Sequence, residues 1–155
     1  MKTRWKVAIL TALLLLISAV ILAGFAIHSS LEVVRDSYAE WDASLAIIHH
    51  MKEHGGAWPN SWNELKQAYE TTPDLRGPEH WEELKQRVDV DFQATPSQLV
   101  TKQANDNKPP FKVVWLRNGK AHHWEGAEPN AVIFEYLKTV GSERQVSEKS
   151  PHQPL

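Results

Sequence analysis

The sequence predicts an α+β fold: an N-terminal transmembrane helix that continues as an amphipathic spine, two short helices, a small three-stranded antiparallel sheet and a C-terminal helix. Three observations carry this. Val7 to Ile27 is a stretch of 21 residues without a charge. The next apolar positions, Leu31, Val34, Tyr38, Trp41, Leu45 and Ile48, recur at helical spacing. Further on, Val88, Val90 and Phe92 alternate with Asp89 and Asp91, and Asn118-Gly119 offers a hairpin turn between two short runs.

The uncharged stretch spans roughly 30 Å at 1.5 Å per residue, the thickness of a bilayer's hydrocarbon core. Lys2, Arg4 and Lys6 precede it and Arg35 is the first basic residue after it. That asymmetry predicts residues 1–6 in the cytoplasm, a span over 7–27 and a domain over 28–141 outside, in a cytoplasmic (inner) membrane. A cleaved signal peptide ending near Gly24-Phe25-Ala26 is the rival reading, but the apolar run is longer than secretory ones and passes into a helical pattern. With no Cys, neither a lipoprotein anchor nor a disulfide framework is available. From His28 onward the chain carries 14 basic and 19 acidic residues, a formal charge of −5, which disfavours nucleic-acid binding.

The spine helix is expected to reach about His54, where Gly55-Gly56 stops it. Its apolar stripe from Leu31 to Ile48 calls for a partner surface, either the following domain, another copy or an envelope protein. Ser61 and Glu64 form a capping box that opens a helix to about Tyr69, and Pro78 suits the first turn of another from Glu79 to Arg87. These two helices share the pattern Trp-x-Glu-Leu-Lys-Gln, at Trp62 and Trp81. Strands are expected at Val88–Phe92, Phe111–Leu116 and Lys120–Glu125, the last two joined by a type I′ turn at Asn118-Gly119. Thr95-Pro96-Ser97 fits a turn of helix, and Asn130 fits the N-cap of a closing helix that Gly141 ends. Residues 142–155, poor in apolar side chains and holding two Pro, are expected to be disordered.

The apolar N-terminal helix, amphipathic continuation and short antiparallel sheet resemble the plan of type IV pilins and type II secretion pseudopilins. The segment Gly55-Gly56-Ala57-Trp58-Pro59-Asn60-Ser61-Trp62-Asn63-Glu64-Leu65 is similar to the Gly-x-x-Pro-x-Ser-x-x-x-Leu segment after the long pseudopilin helix. The chain departs from that family in lacking a prepilin cleavage motif before the apolar stretch: basic residues directly precede Val7, and Gly24-Phe25 lies at its far end.

No catalytic constellation emerges. His50-Met51-Lys52-Glu53-His54 matches a His-x-x-Glu-His zinc-hydrolase pattern, in which His50 and His54 would share a helical face and Glu53 would act as base. A catalytic zinc needs a third ligand and a cleft larger than so small a domain offers. His122 and His123 adjoin in an expected strand and point to opposite faces, so they cannot hold one metal together. The expectation is therefore a non-enzymatic, cofactor-free, single-pass membrane protein of the bacterial envelope, acting in interaction or assembly. The alternative is a glycan- or peptidoglycan-binding module that stacks sugars on Trp58, Trp62 and Trp81, drawn from the seven tryptophans of the chain.

Overall fold

A computed structural model describes residues 2–77, 80–101, 110–121, 124 and 126–149. The order is α1 (Lys2–Glu53), α2 (Trp62–Thr71), α3 (Trp81–Arg87), β1 (Val88–Val90), α4 (Pro96–Val100), β2 (Val114–Leu116) and α5 (Pro129–Lys149). Contacts divide the chain into two units, Met1–Arg35 and Asp36–Leu155.

The first unit is helix alone. Its most apolar 18-residue window has a mean hydropathy of 2.8 and no buried residue, so one helix near the N-terminus is long and apolar enough to cross a membrane. Three of its hydroxyls are satisfied within the helix: Thr11 donates to the Val7 carbonyl, Ser18 to Leu14 and Ser30 to Ala26. Such back-bonding leaves little polar demand for lipid to meet. Leu31 and Val34 are exposed.

The second unit is built around the last part of α1. Ala39, Ala43, Ala46, Ile47 and Met51 from that helix meet Leu65 of α2, Leu84 of α3, Leu99 of α4, the valines of β1 and Ile133, Phe134 and Leu137 of α5. Three fully buried alanines leave room for close approach, and the larger side chains come from the surrounding elements. This packed face is about half a turn away from the expected stripe, since residues advance by about 100° each along a helix. Tyr38 is exposed, Trp41 and Leu45 are half-buried, and only Ile48 of the stripe is buried. The side of α1 that carries the domain is thus the alanine side. Apolar spacing in the sequence singled out the larger residues opposite. Gly55 and Gly56 end the helix at positive φ, with the Gly56 amide donating to the Met51 carbonyl at 2.7 Å.

Among the described residues the sheet has two antiparallel strands, with Val88 opposite Leu116, Asp89 opposite Trp115 and Val90 opposite Val114. A third strand over Lys120–Glu125 does not form at Lys120 or Ala121, and His122, His123 and Glu125 lie outside the described residues. The physical reason lies on the outer edge of β2. Asn130 Oδ1 accepts from the amides of Val113 and Val114, and its Nδ2 donates to the Val114 carbonyl. The Leu116 amide hydrogen-bonds the carboxylate of Glu40, and the Leu116 carbonyl accepts from Gly119. The outward-facing backbone groups of Val114 and Leu116, which a third strand would need, are thus already engaged.

Three further expectations are corrected here. The Asn118-Gly119 turn has positive φ only at Gly119, so it is not type I′. Asn118 instead caps its own turn, accepting from Lys120 and donating to Asp36 Oδ2. Asn130 lies inside α5 rather than capping it; Glu128 takes the cap, its Oε2 accepting from Ala131. The helix also passes Gly141 and continues to Lys149, into the segment expected to be disordered. Glycine lowers helix propensity by only about 1 kcal/mol, and the next proline is Pro151. Ser61 caps α2 through the Glu64 amide, while the Glu64 carboxylate accepts from Asn60.

Candidate functional site

The domain part of α1 buries an unusual set of polar side chains: Asp36, Glu40, Asp42, Ser44 and His50. Asp36 is bonded by the Arg87 guanidinium at 2.7 Å and by Asn118, with Glu83 completing the arginine's pairing. Burial, helped by Glu128 nearby, pushes the Glu40 carboxyl up to about 7. Burial also raises Asp42, against the pull of the Arg76 and Gly77 amides that it accepts. A side chain at Gly77 would collide with the Asp42 carboxylate, which explains the glycine there. Asp36, Glu40 and Asp42 were not singled out in the sequence. Their i, i+3 and i+4 spacing from Ala39, Ala43 and Ala46 was the available signal.

His50 and His54 share a helical face, as expected, but their rings stack at 4.1 Å and 14° rather than aiming nitrogens at one point. His54 Nδ1 contacts the His50 carbonyl, and His50 Nε2 lies 3.7 Å from Glu64. His49 is engaged by Thr71 and Glu53. Burial, with His54 beside it, lowers the pKa of His50. Among the described residues no three His, Asp or Glu side chains are placed to share a metal ion.

The tryptophans singled out for stacking do come together. Trp62 meets Trp81 edge-on at 5.7 Å and Phe92 at 5.1 Å, and Tyr69 lies 5.4 Å from Trp81. The Trp58 indole N–H donates to the Asp91 carbonyl. The two copies of the Trp-x-Glu-Leu-Lys-Gln pattern thus pack against each other through their tryptophans. All three rings are half-buried and lie against the core.

Among the described residues, two of the hollows lie beside the domain part of α1. One, of about 290 Å³, is mainly apolar and lies between Met51, Pro96, Val100, Tyr136 and Val140. The other, of about 360 Å³, has Trp41, Leu45 and Ile48 on one side and Thr72, Asp74 and Arg76 on the other, with His49 and Lys52 also lining it. Half of the expected stripe is therefore the wall of a groove.

No protein-family profile and no solved structure matches the chain. Part of it is similar to transketolases. It is 34% identical to Transketolase 2 of Aliivibrio fischeri over 91 residues, which is 52% of this chain and 12% of that protein. It is 32% identical over 91 residues to Transketolase 2 of Vibrio parahaemolyticus and 32% identical over 87 to Transketolase 1 of Vibrio vulnificus, each again at 12% of the relative. The chain spans about an eighth of the length of these relatives.

Proposed function

We propose that this protein is a single-pass component of the bacterial inner membrane whose extracytoplasmic domain serves in interaction or assembly. The observation that carries the reading is the wholly exposed apolar helix of the first unit, joined in sequence to a domain with its own core. Positive charge before the span supports a cytoplasmic N-terminus. The order of long helix, short helices and antiparallel sheet supports a pilin-like plan, without the cleavage motif that polymerising members carry. Leu31 and Val34 in the first unit and Tyr38 in the second are exposed apolar side chains that packing within their own units leaves open to a partner. Similarity to an eighth of a transketolase conveys no active site, and no sugar-phosphate chemistry is proposed.

The test is site-specific photo-crosslinking of the full chain in bacterial membranes. A crosslinkable residue at position 31, 34 or 38 should give discrete adducts with envelope proteins or a second copy, identified by mass spectrometry. A probe at exposed Gln67 on α2 should give none. Equal, diffuse labelling from all four positions would defeat the assembly reading.

A further inference from the structure

The groove beside Trp41 has features that packing of the fold does not require. Its far wall is fixed in advance: Asp42 holds the Arg76 and Gly77 amides, Thr72 donates to the Ala68 carbonyl at 2.7 Å, and Thr71 is joined to His49 at 3.0 Å. Lys66, Arg87, Arg117 and Lys138 are each ion-paired to a carboxylate. Among the described residues Lys52 and Arg76, like Lys85, Lys112 and Lys120, make no such pair; Lys52 lies over the Tyr136 ring at 5.8 Å, the charge of Arg76 acts on Asp42, and both cations line this groove. On a domain of formal charge −5, this hollow is lined by two cations against one carboxylate, that of Asp74.

We propose that the groove binds a sugar bearing a carboxylate. Its volume, about 360 Å³, lies within the range of small-molecule sites. The half-buried indole of Trp41, with Trp124 at 6.4 Å on one side, offers a flat apolar surface against which the C–H face of a pyranose ring can lie. Arg76 and Lys52 supply charge-assisted hydrogen bonds to the carboxylate. Asp74, on the same rim, accepts from ring hydroxyls. That carboxylate also discriminates, because it repels a polyanionic peptide while accepting from the hydroxyls of a ring that carries one acidic group. None of Trp58, Trp62 and Trp81 lines this groove: Trp62 and Trp81 meet each other edge-on, and the Trp58 indole N–H is held by the Asp91 carbonyl. It stands or falls separately from the assembly reading, which rests on residues 31, 34 and 38.

The experiment is isothermal titration and saturation-transfer NMR on the full chain in a detergent without a sugar headgroup. The probes are a tetrasaccharide of alternating glucuronic acid and N-acetylglucosamine, its carboxyl-reduced counterpart and tetraglutamate. The acidic tetrasaccharide should bind, and the reduced one should bind at least about tenfold more weakly, the loss expected for a charged hydrogen bond. Arg76→Gln, whose backbone amide still reaches Asp42, should weaken the acidic sugar by a similar factor. Trp41→Phe should weaken both sugars together. Equal affinity for the two sugars, undiminished binding by Arg76→Gln, tighter binding of tetraglutamate or no binding of the sugar at millimolar concentration would each overturn the proposal.

Discussion

A single carboxylate dominates the expected response to pH. Glu40 holds its proton to about pH 7 in the fold, whereas an unfolded glutamate releases it near 4.5. Its contribution is therefore full below pH 4.5 and is lost as pH rises toward 7, by an amount on the order of 2–3 kcal/mol. His50 acts in the opposite sense. Its pKa is lowered by burial, so its contribution is present above the ordinary histidine range and lost as pH falls through it. Glu40→Gln should flatten the fall in stability between pH 5 and 8 and exceed the wild type at pH 8. Urea unfolding in detergent, followed by circular dichroism, reads this directly. An unchanged pH slope would mean that Glu40 is ionised throughout. Asn130 is the other decisive residue, since its one amide serves three backbone groups of β2's edge and the Glu128 carboxylate. Asn130→Leu strands buried polar groups and should cost about 2–4 kcal/mol, with faster hydrogen exchange at the Val113 and Val114 amides.

At the level of elements, the packing of α1 makes a contrasting pair of predictions. Ala43→Leu overfills a fully buried position and should destabilise the domain by about 1–3 kcal/mol. Tyr38→Asp, on an exposed side chain, should leave the unfolding midpoint nearly unmoved. Much of the element order was legible in the sequence, because glycine pairs, the Ser61 cap and Pro96 act within a few residues of themselves. The face of α1 that carries the domain was not legible from apolar periodicity. Close packing there uses alanines and buried acids, whereas the large residues opposite gave the stronger hydrophobic signal. The closing turn failed for a related reason. Asn118-Gly119 has the local chemistry of a hairpin, but Asn130 and Glu40, distant in sequence, occupy the edge the hairpin needed. Of the candidate site residues, sequence found the Trp62–Trp81 neighbourhood and the shared face of His50 and His54. It missed Asp74 and Arg76, whose meeting with Trp41 depends on the buried Asp42.

For the whole molecule the first question is the bilayer. Replacing Leu14 and Ile17 together by Arg places two charges mid-span, each costing about 2.5–3.5 kcal/mol on insertion scales. The double variant should be released from membranes by alkaline extraction that leaves the wild type behind. Retention of the variant would show that residues 7–27 are not what holds the protein there. The plugged margin of the sheet carries a last consequence. Two short strands with an open border would be a template for strand addition, by a peptide or by neighbouring copies crowded in the same membrane plane. With Asn130, Glu40 and Gly119 occupying that border, the domain resists amyloid-like growth from this side, and a partner must recognise it by side chains rather than by borrowed backbone pairing.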